Sequence, residues 1–264
     1  MDIKEKMRKI KTMERTTQTS DRVSELLKNE RDRLNKLKNL ISYSYDCPLC
    51  NNRGWTAEIM NNAVICVECS CVPVRRNIKR VENSGLANVI DKYTLENYKA
   101  SSDWQEHIKR TAYEFLEIRK GWFFIAGQSG AGKTHICTGI FNELIQKGYD
   151  AKYMLWLDDS YKLKKNDEDA DRLREFLKNV QVLYIDDLFK TEKNDIPSQA
   201  DVKLAMEILN FRYINNKITL ISSEKNISEI FDIDVAIAGR ITEMSKGFLI
   251  NIKNGKEKNY RLKI

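Results

Sequence analysis

The chain has 264 residues, 42% of them hydrophobic and 31% charged, and its 45 Lys+Arg against 38 Asp+Glu leave a formal charge of +7. That apolar content supplies one ordinary core and a small appendage, and 3 Pro with 11 Gly exclude collagen-like and loop-dominated chains. No run approaches the roughly 18 apolar residues of a bilayer-spanning helix. The start, MDIKEKMRKIKTMERTTQ, lacks the apolar stretch of a secretory signal. The expected compartment is the cytoplasm, where thiols stay reduced, so five cysteines packed between positions 47 and 71 suggest a metal rather than disulfides.

The charge is uneven. Residues 1–40 carry a surplus of +5 and residues 251–264 one of +4, which leaves the middle at −2. Basic ends suit phosphate-backbone contacts, or serve as solvated tails. Residues 1–20 read as a polar, basic flexible tail. From Ser20 or Asp21, a plausible N-cap, Val23, Leu27, Leu34, Leu37 and Ile41 share one helical face at heptad-like spacing. Glu30 interrupts that stripe, and three heptads are too few for a self-sufficient coiled coil. The helix is therefore expected to bury its stripe against another element or a partner. The cysteine cluster and the basic run Arg75, Arg76, Lys79 and Arg80 follow.

After Gly85 the pattern changes. Short apolar runs at 121–127, 151–157, 181–187, 218–223 and 247–253 alternate with helix-length amphipathic segments. This alternation predicts an α/β domain, a parallel sheet with helices on both faces. Three parts are expected: a tail 1–20, an amphipathic helix with a metal-binding region 21–84, and the α/β domain 85–264.

The first of these runs leads into GQSGAGKT, Gly127 to Thr134, a full match to G-x-x-x-x-G-K-[ST] between a strand and a helix. Glycines let the backbone N–H groups of Gly127, Gln128, Ser129, Gly130, Ala131 and Gly132 curl around phosphate oxygens. The following helix adds its positive end. Lys133 is expected to reach the β- and γ-phosphates and Thr134 to offer its hydroxyl to Mg²⁺. His135 completes the cofactor-contacting run, packing rather than catalysing, and Cys137 reads as a small buried hydrophobe. Further on, VLYIDD ends in Asp186 and Asp187. A carboxylate ending a buried strand beside a phosphate loop is where an NTPase holds its metal, so Asp186 is the candidate Mg²⁺ ligand. Asp187 is placed to orient or deprotonate the attacking water.

Phosphate loop, YIDD, a strand ending in SSE, AIAGRI and NYRL together resemble the AAA+ ATPases of the DnaC/DnaI helicase-loader family, a group that includes the transposition helper IstB. The resemblance covers roughly residues 86–264. It implies a P-loop AAA+ parallel sheet sandwiched by helices without a C-terminal lid, binding ATP and Mg²⁺ and assembling with its neighbours through the ATP site. It also implies that an N-terminal zinc region docks on a DnaB-type replicative helicase, delivered to single-stranded DNA, with no membrane involved. Arg240 in AIAGRI matches the family's arginine finger, which would stabilise phosphoryl charge in an adjacent subunit. Arg261 in NYRL matches a nucleotide-sensing arginine, or belongs to the basic end. Where the family usually has a neutral polar sensor, this chain has Glu224. A carboxylate about 4 Å from a phosphate oxygen costs about 4 kcal/mol at an effective dielectric of 20. Glu224 is therefore expected to point away, with Ser222 or Ser223 orienting the water, or else hydrolysis is slow and binding does the switching.

Cys47-Pro-Leu-Cys50 and Cys66-Val-Glu-Cys69, with Cys71 two residues on, read as a structural zinc ribbon. Spacing favours Cys66 and Cys69 as the second pair. The family's C-x-C ending favours Cys69 and Cys71. Near the third strand, Tyr161, Lys162, Lys164 and Lys165 are candidates for single-stranded DNA, although the acids Asp167, Glu168, Asp169 and Asp171 lie beside them. Arg212 and Tyr213 form a family word with no role derivable from sequence. The expected activity is an ATP-dependent helicase loader with slow, partner-stimulated ATPase. The alternatives are an IstB-like transposition helper and a non-hydrolysing adaptor.

Overall fold

The computed structural model describes residues 21–37, 47–83, 92–192 and 196–260, and two units divide the chain, one ending at Arg75 and one beginning at Arg76. The expected tail 1–20, Ile41 of the helical stripe, the expected boundary at 84–85 and Arg261 lie outside the described residues.

In the first unit, residues 21–36 form helix α1. Val23 and Leu37 are each 50% exposed and Leu26 is 62% exposed. Of the expected stripe, Leu27 and Leu34 are half-buried within this chain. The C-terminal end of α1 is held by polar contacts. Asn35 Nδ2 donates to the Ala57 carbonyl at 3.0 Å, and Asn35 Oδ1 accepts from the Ala57 N–H at 2.9 Å, so the side chain pairs with a strand edge as a backbone would. The Arg53 guanidinium donates to the carbonyls of Leu34, Asn35 and Cys50 and lies 4.5 Å over the Trp55 ring. Orphan helix carbonyls thereby acquire a cationic cap.

Strands β1 (Trp55–Met60) and β2 (Ala63–Glu68) pair antiparallel with Met60 opposite Ala63. Asn61 and Asn62 alone make the turn, at φ 51 and 58. Two consecutive left-handed residues are what a twisted two-residue hairpin requires, and Asn tolerates that region. Helix α2 (Cys71–Asn83) follows.

The second unit is built from α3 (Asp103–Ile118), β3 (Trp122–Ala126), α4 (Lys133–Gln146), β4 (Ala151–Leu155), α5 (Trp156–Leu163), α6 (Glu168–Asn179), β5 (Val182–Asp186), α7 (Gln199–Ile214), β6 (Ile218–Ser223), α8 (Ile227–Ile233), α9 (Val235–Met244) and β7 (Leu249–Asn251). The five strands lie in the order β4-β5-β6-β3-β7, all parallel. The fold is the expected α/β P-loop AAA+ architecture, and each of the five apolar runs contains a strand. After β7 the described residues add only a short 3₁₀ turn, Lys256–Lys258.

Alternation along the strands sorts the core. Phe123, Ile125, Val182, Tyr184 and Leu220 face α3 and α4, where they meet Phe115, Ile136, Ile140 and Phe141. Trp122, Phe124, Leu183, Ile185 and Ile221 face the other layer, with Trp156, Leu177, Ile208, Ile237 and Ile241. Both sheet faces are dry, so strands such as WFFIA read as unbroken apolar runs.

Arg212 on α7 is fully buried. It donates to Thr219 Oγ1 (2.9 Å) and to the carbonyls of Leu177 (2.8 Å), Val180 (2.9 Å) and Ile218 (2.6 Å). Burial pulls its pKa down to about 9. The guanidinium joins the end of α6 to the starts of β5 and β6, which explains an arginine the sequence alone left without a role. Arg212→Ala is expected to cost about 3–5 kcal/mol, read as a lowered denaturation midpoint, because buried carbonyls lose their donors. Arg212→Lys should recover only part of this, since an ammonium lacks the planar fork.

Candidate nucleotide site and four-cysteine cluster

The strand order sets β6 between β3 and β5, so the carboxyl ends of three neighbouring strands converge. Ligands of open α/β sheets bind at such ends. Leaving β3, the chain enters the 127–132 loop with Gly127, Gly130 and Gly132 at φ 149, 79 and 87. At Gly127 a Cβ would meet the Ile252 side chain at 2.8 Å and its carbonyl at 2.9 Å, so no larger residue fits. α4 then begins with no acid in its first turn and no side-chain cap. Its leading N–H groups and positive dipole end remain open to an anion.

Lys133 is 5% exposed, and its Nζ donates to the carbonyls of Gly127 (2.8 Å) and Gln128 (3.0 Å). The ammonium is folded over its own loop. Burial lowers its pKa, opposed by the negative charges of Asp187, Glu224 and Asp186. Thr134 Oγ1 donates to Asp186 Oδ1 at 3.3 Å. The buried Asp186 carboxylate also accepts from the hydroxyls of Tyr184 (2.7 Å), Tyr153 (3.1 Å) and Ser222. Burial raises the Asp186 pKa, while the hydroxyl donors work against that rise. This donor set, one carboxylate and one hydroxyl beside a phosphate loop, fits a hard cation such as Mg²⁺.

A cavity of about 400 Å³ opens over this loop, lined by Ser129 to His135, Asp187, Lys190 and Glu224, and on its other side by Tyr93, Tyr98 and Tyr260. Glu224 therefore faces the cavity, which corrects the expectation that it turns away. The physical reason is Lys190, whose Nζ bonds Asp187 Oδ2 at 2.8 Å and Glu224 Oε1 at 3.1 Å. Burial alone would depress the Lys190 pKa, yet these two carboxylates raise it. The expectation for Ser223 is likewise corrected. Its buried hydroxyl donates to the Leu188 carbonyl at 2.8 Å and accepts from the Lys225 N–H, so it is engaged away from the cavity. Ser222 is committed to Asp186 and to the Asp187 N–H.

Other sequence candidates separate. Gln128 turns its side chain to the Gly255 backbone, donating at 2.8 Å and accepting at 2.7 Å, and leaves only its main chain in the loop. His135 packs as expected: Nε2 lies 2.9 Å from the Thr94 carbonyl and 2.8 Å from Asn97 Oδ1, with the ring stacked on Tyr93. Burial lowers its pKa, which favours the neutral ring as a donor. Cys137 is buried and its thiol pKa pushed up. Arg240 is not among the cavity-lining residues; it bonds Asn210 Oδ1 at 2.9 Å and lies 5.4 Å over the Tyr213 ring. Tyr161 is 73% exposed; Lys164 pairs with Asp201 at 2.7 Å and Lys162 with Asp159 at 3.0 Å.

In the first unit, Cys47, Cys50, Cys69 and Cys71 are buried with their sulfurs within 4.8 Å of one another, whereas Cys66 is exposed on β2. The Cys47–Cys69 and Cys50–Cys71 sulfurs stand 3.8 and 3.5 Å apart. Four thiolates at about 2.3 Å from a tetrahedral zinc would be spaced by about 3.8 Å, so the cluster fits that ion. The choice the spacing left open falls on the C-x-C pair. Cys66 sits inside a strand opposite Ala57, where the pleat points it away from the cluster.

Fold and loop together define a P-loop NTPase with an AAA+ sheet. The model of the Novel STAND NTPase 3 family matches residues 105–237, half of the chain, and the chain belongs to that family. YqaM of Bacillus subtilis is 33% identical over 210 residues, 74% of this chain, and the chain spans 66% of YqaM's length. XkdC of the phage-like element PBSX, from the same organism, is 29% identical over 231 residues, covering 83% of this chain and 86% of XkdC. A crystal structure of the DnaC helicase loader superposes with a TM-score of 0.55 at 20% identity, over 62% of this chain and 98% of that one. This likeness is one of fold. No helix among the described residues is long and apolar enough to cross a membrane.

Loading with zinc should give one ion per chain by elemental analysis. Cys66→Ser is expected to keep that ratio, and Cys71→Ser to lose the ion or release it to a weak chelator.

Proposed function

We propose that this chain is an ATP-dependent loader of a DnaB-type replicative helicase onto single-stranded DNA, in which ATP occupancy controls assembly. The arrangement that carries the reading is the presence, in one chain, of an open phosphate site in the second unit and a four-cysteine hairpin in the first. Four sulfur ligands leave a zinc no position for substrate, so the hairpin suits docking rather than chemistry.

In this reading Lys133 leaves its loop carbonyls for the β- and γ-phosphates, and the loop and α4 N–H groups hold the phosphate oxygens. Thr134 and Asp186 hold Mg²⁺, which supplies charge neutralisation on the phosphates. Asp187 orients the water. Its pairing with Lys190 favours slow turnover until a partner or DNA rearranges the pair. Arg240, outside the cavity of its own chain, acts on a neighbour's nucleotide, and zinc on Cys47, Cys50, Cys69 and Cys71 maintains the helicase-docking unit. The membership in an NTPase family supports a nucleotide-driven role, and the fold shared with the DnaC helicase loader agrees with the loading part of the reading.

Calorimetry on the full, zinc-replete chain with Mg²⁺ should detect ATP, and Lys133→Ala should weaken it by about ten- to a hundredfold, the loss of a charged hydrogen bond. Co-purification with a DnaB-type helicase should give a stoichiometric complex that disappears when residues 1–80 are removed. ATP uptake without any helicase complex would defeat the loading role while leaving the nucleotide site standing.

A further inference from the structure

The cavity holds a cation that no phosphate-loop motif contains. Lys190 follows β5 through a turn in which two non-glycine residues, Asp187 and Phe189, adopt left-handed φ values of 56 and 64. Such conformations are costly and persist where the surroundings over-determine them. Here the buried Leu188 and Phe189 anchor the turn, and the Leu188 N–H donates to the Ser222 carbonyl at 2.8 Å. The result is that Asp187 and Lys190 emerge on the same side, into the cavity that Lys133 lines. Glu224, from the end of β6, closes the group at 3.1 Å from Lys190.

An ion pair at this degree of exposure contributes little to stability, and this one brings two carboxylates beside a site built for phosphate. Its charge arithmetic matters for the ligand. With Lys190 the three groups total −1; without it they total −2. A triphosphate differs from a diphosphate by one further anionic group, extending past Lys133 towards these strand ends.

We propose that Lys190 is a second phosphate-facing cation, held in place by Glu224, and that it makes the site discriminate a nucleoside triphosphate from a diphosphate. This rests on the nucleotide site proposed above. Glu224 thus occupies the position of a neutral sensor as one of two carboxylates that share Lys190, and Lys190 supplies the contact that a polar sensor would make. Lys190 is a specificity-determining residue here, and Glu224 acts through it as a positioning residue.

The test is equilibrium binding of a non-hydrolysable ATP analogue and of ADP, with Mg²⁺, to the full zinc-replete chain. Lys190→Met should weaken the analogue about tenfold or more and ADP by less than about threefold. Lys190→Arg should restore most of the difference. The double variant Lys190→Met/Glu224→Gln should recover much of the analogue affinity lost by Lys190→Met, because only Asp187 then remains charged and the group returns from −2 to −1. Equal losses for both nucleotides, an unchanged ratio, or no recovery in the double variant would overturn the proposal. Should the unmodified chain bind neither nucleotide, the nucleotide site itself is refuted, an outcome distinct from all of these.

Discussion

Three carboxylates, Asp186, Asp187 and Glu224, are brought to the ends of two adjacent parallel strands, at the mouth of a site whose backbone attracts anions. That proximity is the constraint the second unit is organised around. Each charge is handled differently. Asp186 is buried and surrounded by hydroxyl donors from Tyr153, Tyr184, Ser222 and Thr134. Asp187 and Glu224 are only partly covered and share one ammonium. Burial lowers the Lys133 pKa, and the charges of these three carboxylates oppose that fall. A phosphate site surrounded by acid is workable because the acids are compensated, by hydrogen bonding in one case and in part by a shared cation in the other two.

The sheet that delivers these groups depends on its own interior polar device. A parallel sheet buried on both faces leaves strand starts and helix ends with carbonyls that have no ladder partner. Arg212 meets several of them with one rigid fork at the opposite end of the strands from the site. The register of β5 against β6, which sets Asp186 beside Ser222, is thereby fixed from the far end.

The first unit solves a different problem. Among its described residues the hydrophobic side chains of α1 are largely exposed, and the buried cluster consists of four cysteines with Val72 against them. Asn35 and Arg53 tie α1 to the hairpin by hydrogen bonds. Small units of this kind gain their stability from a bound ion rather than from a core.

The sequence by itself determined the local features. The phosphate loop, the five strand runs and Cys47, Cys50 and Cys69 were legible because each is encoded by a contiguous pattern: a glycine spacing, an apolar run, a short cysteine repeat. What only the tertiary structure decided involves groups brought together across strand order. Cys71 joins the cluster and Cys66 does not, because pleat direction decides which sulfur points inward. Lys190 reaches Glu224 across thirty-four positions because β6 inserts beside β5. The same adjacency fixes the hydroxyls of Ser222 and Ser223, and Arg212 acquires its carbonyls from the end of α6, the segment that leads into β5, and the start of β6. Charge compensation is a property of distances in space, and a linear pattern carries no information about which side chain will stand three ångströms from which.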